Sequence, residues 1–326
     1  GGGGGAVAWF LHEAGAGVGA AKVHVAKLLS AAWWIMTWVS FLITAALMQR
    51  IVPAVVCTLM IATSVAINIA AYSGMNAVAD EAGFIVAYPQ GTIDAEGNAF
   101  FNVGYAFHQD VAVDDVDFVR QMIAELSAEH SVNPDQIYAT GMSNGGEMSY
   151  LLACRASSLF RAVAPVAGSM VGFSLQECSP ERPIPIFAIS GTDDPVTLYS
   201  GDLENVGGWG TYLGQDETIA YWARQYGLDQ RTSTALANPH KPILTGDSQI
   251  TWDRYSDDNL ATEIWFYRVV NGGHDWPGAK GTEWWRPSTY LGLMAMGFGK
   301  NHDIDASRDI WAFFSQWSER EKAVSQ

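Results

Sequence analysis

Two hydrophobic regimes divide the chain. Leu28 to Tyr72 is almost wholly apolar, broken by Gln49 and Arg50, and each half is about as long as the roughly 20 residues that cross a bilayer as a helix. Taken literally, this stretch is a helical hairpin. Read from Met48, MQR followed by the apolar run Ile51 to Ile61 and the small residues at Ala62 to Ala66 has the layout of an export signal. The opening GGGGG, without an initiator Met, leaves a third expectation, a leader with no selected structure. Residues 1–71 are therefore set apart as an apolar leader and 72–326 as the domain that carries the chemistry. Membrane contact through residues 28–72 is one expectation, a secreted or periplasmic location another.

From residue 73 the pattern changes to alternating helix-type and strand-type periods, which argues for a mostly parallel sheet with helices on both faces. Ser73 to Ala82 reads as a helix capped by Ser73, followed by an apolar strand over Gly83 to Tyr88 that ends at Pro89. Residues 90–110 read as a polar loop. Asp114 to Glu129 is an amphipathic helix with Val116, Val119, Ile123 and Leu126 on one side. Strand 136–140, a turn, helix 145–157 and strands 162–167 and 183–190 follow. The chain continues with helix 217–226, strand 263–270 and a last helix over 307–317. No internal repeat interrupts this order.

Composition narrows the function classes. The chain has 326 residues, 49% hydrophobic and 16% charged, enough for one domain of roughly 250 residues with a sizeable core. A formal charge of −16, from 34 acidic and 18 basic residues, repels a phosphate backbone, so nucleic acid is not an expected partner. Three cysteines, Cys57, Cys154 and Cys178, are too few for a disulfide scaffold. The last two read equally well as one bridge or as two buried thiols.

The chemistry lies at YATGMSNGG, residues 138–146, where Gly141, Ser143 and Gly145 are spaced as G-x-S-x-G between a strand and a helix. A serine hydroxyl is a weak nucleophile until a base takes its proton, and a sharp strand-to-helix turn exposes it at the carboxyl edge of a sheet. The α/β-hydrolase arrangement then requires an acid after a later strand and a histidine after the last one. Of the histidines beyond Ser143, His240 sits in a Pro-flanked loop and His302 precedes a helix. His274 follows strand 263–270 through two glycines, which makes it the expected base. Strand 183–190 runs into Asp193 and Asp194. Asp194 is the expected orienting acid, and Asp193 the turn-capping alternative. The roles call for no metal or cofactor.

With these motifs in order the chain resembles the polyhydroxybutyrate depolymerase and feruloyl esterase group of α/β-hydrolases. The matching strings include YSGMNAVADEAGFIVAYPQ, DDVDFVRQMIAEL, QIYATGMSNGGEMSYLLAC, CSPERPIPIFAISGTDDPV, NGGHDWPG and DIDASRDIWAFF, between Tyr72 and Phe314. The resemblance implies a secreted ester hydrolase with Ser143, Asp194 and His274 as its triad, an ester substrate as partner, and a Cys154–Cys178 bridge. It implies an oxyanion hole built partly from the Asn144 amide, with a second amide from a His-Gly turn. FLHEAGAG, Phe10 to Gly17, is the candidate for that turn, so the first strands of the fold are atypical or missing here. A second cysteine pair common in the group is absent, with Leu228 and Asp257 in those neighbourhoods. Phe101, Asn102 and Trp276 are expected at the substrate. The aromatic segment 281–300, with Trp284 and Trp285, reads either as a substrate wall or as a cover for the core.

Overall fold

The structure is a computed structural model that describes residues 69–93, 99–108, 110–172, 178–237, 248–258, 261–279 and 301–324. They belong to the second of two compact units, 66–94 with 98–326. The export-signal and hairpin expectations, the FLHEAGAG turn, Trp284 and Trp285 lie outside the described residues. Among those described, no helix is long and apolar enough to cross a membrane.

In chain order the elements are α1 (Ile69–Ser73), α2 (Met75–Ala82), β1 (Thr92–Ile93), β2 (Ala99–Phe100), α3 (Asp115–Glu129), β3 (Tyr138–Met142), α4 (Asn144–Arg155), β4 (Ala162–Val166), β5 (Ile186–Gly191), β6 (Gly201–Asp202), β7 (Tyr212–Leu213), α5 (Gln215–Tyr226), β8 (Gln230–Ala235), β9 (Gln249–Ser256), β10 (Ile264–Val270) and α6 (Ala306–Val324). Six strands form the central sheet in the order β3-β4-β5-β10-β9-β8. The first four run parallel, and β9 and β8 add on antiparallel. The parallel neighbours β3 and β4 are joined by the crossover helix α4, and α5 lies on the path from β5 to β10, because parallel strands need a crossover. The described residues therefore have the α/β-hydrolase architecture.

The period of two along the strands divides the core between the two faces. On β5, Ile186 and Ala188 join Val116, Leu151, Ile219 and Trp222 from α3, α4 and α5. Phe187 and Ile189 point the other way, onto Met75, Val78, Ile310, Phe313 and Trp317 from α2 and α6. Every residue of β4 and β5 is buried, as expected of strands covered on both sides. Asp114 caps α3 by accepting from the amides of Val116 and Asp117, which explains the sharp start of that helix.

Three expectations need correcting. The segment over Gly83 to Tyr88 is extended and alternates between exposed and half-buried positions, but it enters no ladder among the described residues. Its apolar side chains are held by helices instead, Phe84 stacking on Trp311 with ring centroids 4.2 Å apart. Ser73 ends α1, and the residue before α2 is Gly74 in the left-handed region, φ 70°. The Ser73 hydroxyl still accepts from the Met75 amide at 3.3 Å. Strands β8 and β9 were not expected from the sequence. β8 is exposed at all six positions, and β9 turns Asp253 inward, fully buried and paired with Arg231 and Arg268, so neither shows the apolar alternation that marks a strand.

Candidate active site

Ser143 follows β3, Asp194 follows β5 and His274 follows β10. Because those strands are parallel, all three residues emerge at one edge of the sheet. The strand ends are stitched together there by backbone bonds. The Ser143 amide donates to Val166 O at 2.9 Å, Ala167 to Ile189 O at 2.8 Å, Thr192 to Val269 O at 2.9 Å and Asp193 to Gly272 O at 2.8 Å. A side chain at 191 would come within 2.3 Å of the Gly272 carbonyl, so glycine there lets the loops bearing Asp194 and His274 close on each other.

Ser143 occupies φ 56°, ψ −122°, a region sparsely populated by residues with a Cβ and strained by about 1 to 3 kcal/mol. The surrounding glycines explain how the turn fits. A Cβ at 141 would lie 2.6 Å from Gly145 C, and one at 146 would lie 2.7 Å from Val166 O. The serine is half-buried. Asn144 is the first residue of α4, where N–H groups have no carbonyl partner within the helix and the helix dipole is positive. Negative charge developing beside Ser143 would meet both.

The expected acid and base are paired directly. His274 Nδ1 lies 2.8 Å from Asp194 Oδ2, with both side chains almost fully buried. The other carboxylate oxygen accepts from the amides of Val196 and Thr197, each at 2.8 Å. Asp194 therefore caps its own turn as well as holding the imidazole. Asp193, the expected turn cap, is exposed and receives the Thr192 hydroxyl.

The other candidate residues divide. Asn144 and Phe101 are joined reciprocally, the Phe101 amide donating to Asn144 Oδ1 at 2.7 Å and Asn144 Nδ2 donating to Phe101 O at 3.0 Å. Phe101 thus lies beside the elbow. Asn102 is turned to the loop itself: Nδ2 donates to the carbonyls of Val111 and Val113, and Oδ1 accepts from Gly104. Its polar groups organise the loop. Trp276 is 2% exposed and donates from Nε1 to Ser307 Oγ at 3.1 Å, so it is a core side chain beneath α6 rather than a cleft residue. His302 precedes α6 and His240 lies outside the described residues.

Two acidic residues of this edge were not singled out from the sequence. Asp275 accepts from the Tyr72 hydroxyl and from the amides of Trp276 and Asn301, clasping the His274 loop from three sides. Glu147, one turn into α4, is buried and receives the Tyr105 hydroxyl. Burial pushes its carboxyl up to about 7, the Tyr105 bond pulling it back and the charge of Asp194 adding to the rise. An acid in the first turn of a helix reads as a favourable charge at the dipole, and that reading hides a buried one.

Comparison with known proteins fits this geometry. The prolyl oligopeptidase family matches residues 70–176. A putative esterase, NocK of Nocardia uniformis subsp. tsuyamanensis, is 32% identical over 226 residues, 67% of this chain and 63% of that protein. Feruloyl esterase B of Piromyces equi is 36% identical over 149 residues, 44% of this chain and 27% of its own. Poly(3-hydroxyalkanoate) depolymerase C of Paucimonas lemoignei is 25% identical over 233 residues, 64% and 52% of the two chains. These relatives support the feruloyl esterase and polyhydroxyalkanoate depolymerase group of α/β-hydrolases as the family this chain resembles. The chain spans less than two thirds of the length of each of these three relatives. The bridge implied for this α/β-hydrolase is present, Cys154 to Cys178 with Cα atoms 4.8 Å apart, and it ties the end of α4 to the chain entering β5.

Proposed function

We propose that this α/β-hydrolase is a serine carboxylic ester hydrolase. In this reading Ser143 attacks the ester carbonyl, His274 takes the serine proton and returns it to the leaving alcohol, and Asp194 fixes the imidazole tautomer and stabilises the imidazolium. Water then releases the acyl group from Ser143 with His274 again as base. The Asn144 amide faces the tetrahedral oxyanion, a contribution worth about 10²-fold or more per donor. The observation that carries the reading is the buried Asp194–His274 pair at 2.8 Å, on the same sheet edge as a serine held in a strained elbow. Relatives named as acting on feruloyl and poly(3-hydroxyalkanoate) esters support the same two substrate classes here. The Cys154–Cys178 disulfide supports export to an oxidising compartment.

Ser143→Ala is expected to abolish turnover of a chromogenic short-chain ester and labelling by a fluorophosphonate. Activity like that of wild type in this variant would end the proposal. The match to the prolyl oligopeptidase family favours one second reading, a serine peptidase using the same three residues. Hydrolysis of blocked peptides at rates above those of matched esters would select it.

A further inference from the structure

Beside the three residues assigned above lies a buried cluster that the reaction does not use. The Tyr105 hydroxyl donates to Glu147 Oε2, and Asn144 acts on the same hydroxyl. Tyr105 and Phe101 sit on one loop, residues 99–108, and Glu147 and Asn144 on one helix face just beyond Ser143. The loop is thus bonded to the nucleophile helix twice, through its main chain at Phe101 and through a side chain at Tyr105. Around the second anchor the loop carries an aromatic group. Phe100, Tyr105 and Phe107 lie within 5.3 to 6.2 Å, centroid to centroid, of Trp209 from the chain after β6. The Ala106 amide donates to Trp209 O at 3.0 Å.

We infer that Glu147 is a positioning residue that seats the 99–108 loop, and with it the aromatic wall next to Ser143, on the nucleophile helix. The inference rests on the ester hydrolase reading and adds to it a residue with no part in bond making. A carboxyl at this place is a costly choice for an anchor. It faces Asp194 after β5, Tyr105 on the loop and Tyr212 on β7, and through Asp194 it faces His274. Desolvation and the like charge of Asp194 both oppose its ionisation. A neutral Glu147 keeps the seat without disturbing the acid–base pair. An ionised one places a second negative charge near the imidazole, favouring imidazolium and drawing protons onto the base. The loop seat and the acid limb of the pH profile therefore share one side chain.

The test separates those two consequences. Glu147→Gln keeps an acceptor for Tyr105 and removes the charge, whereas Glu147→Leu removes both and Tyr105→Phe removes the donor. Steady-state kinetics on a chromogenic aryl ester are expected to give Glu147→Gln a KM within about twofold of wild type. Near pH 7, where Glu147 ionises in wild type, the upper part of its acid limb of kcat/KM should move to lower pH, so that there it retains up to about twofold more of its plateau activity. Glu147→Leu and Tyr105→Phe should raise KM roughly fivefold or more while fluorophosphonate still labels Ser143. A wild-type acid limb in Glu147→Gln together with a wild-type KM in Tyr105→Phe overturns the inference, and these two variants decide it even if Glu147→Leu fails to fold. Wild-type protein that resists fluorophosphonate and leaves esters intact overturns the ester hydrolase reading, and the inference with it. Labelled, active wild type with indifferent variants overturns the inference alone.

Discussion

Replacing Asp194 by Asn tests the acid–base pair with almost no change of shape. One carboxylate oxygen is held by two backbone donors, the amides of Val196 and Thr197 at 2.8 Å. An asparagine in that turn must keep its single oxygen there, because the opposite orientation would set an amide nitrogen against two N–H groups. Nδ2 then faces His274 Nδ1 across the present 2.8 Å contact. A donor at that position forces the ring proton onto Nε2, the tautomer that cannot accept a proton from serine. In Ser-His-Asp hydrolases this change costs about 10⁴-fold in turnover, or about 5.5 kcal/mol at about 1.4 kcal/mol per decade. Burial of both side chains leaves little room for water to substitute for the lost partner. The assay is kcat/KM on a chromogenic ester across the neutral to alkaline range, with circular dichroism to confirm the fold and Asp193→Asn as control. Asp193 is exposed and its loss should matter less than about threefold. An Asp194→Asn enzyme within tenfold of wild type, or an Asp193→Asn enzyme equally damaged, would refute the assignment of the pair.

The two glycines of the motif should behave oppositely. Gly141→Ala puts a Cβ 2.6 Å from the Gly145 backbone and should cost more than about 2 kcal/mol and most of the activity. Gly145→Ala meets nothing within 4 Å and should be neutral or stabilising in urea denaturation by up to about 1 kcal/mol. Opening the Cys154–Cys178 bridge, with its sequence separation of 24, should cost about 3.5 kcal/mol on the chain-entropy estimate. The melting midpoint of Cys154→Ala/Cys178→Ala should accordingly drop by roughly 10 °C. Glu147 is held near 7 in the fold against an ordinary carboxyl value of 4.5, so the folded state binds its proton more tightly. The stability tied to that proton is complete below about 4.5 and is lost as pH rises through about 7, a difference of about 3 kcal/mol. Urea midpoints should fall over that window in wild type and less steeply in Glu147→Gln. Asp309, pushed up to about 6 by burial and then by Asp305, retains part of the slope.

The elements legible in the sequence are those whose burial is periodic. The crossover helices α3, α4 and α5 and the doubly buried β4 and β5 announce themselves through apolar spacing, within two or three residues of their observed limits. β8 and β9 do not, because ionic and polar contacts do the work of apolar ones there, Arg254 bonding Glu263 through two nitrogens and Arg268 meeting Asp253. The placement of Ser143, Asp194 and His274 after three parallel strands was legible because each follows a strand with a glycine or turn signal. Asp275 and Glu147 were not. Their partners Tyr72 and Tyr105 are 203 and 42 residues away, and nothing in one sequence reports so distant a contact. The burial of Trp276 was hidden for the opposite reason. An aromatic beside an expected catalytic histidine suggests a cleft, and only three-dimensional packing shows it under α6.

The residues that fix the geometry of this edge are largely ones without chemistry. Ala167, just after β4, lies in the left-handed region at φ 46°, a strained conformation for alanine. Its amide binds Ile189 O on β5, and its carbonyl receives the Thr197 hydroxyl at 3.1 Å, on the turn that Asp194 caps. Next to it, a Cβ on Gly168 would come within 2.8 Å of both Ser143 O and Glu147 N. The nucleophile elbow and the acid turn thus meet across a two-residue hinge that belongs to neither. A strained bend persists only where its surroundings over-determine it, and here the over-determination comes from β4, buried on both faces and bonded to β3 and β5. Positional precision at Ser143 therefore depends on how well β4 is packed, and core substitutions there should lower turnover before they unfold the protein.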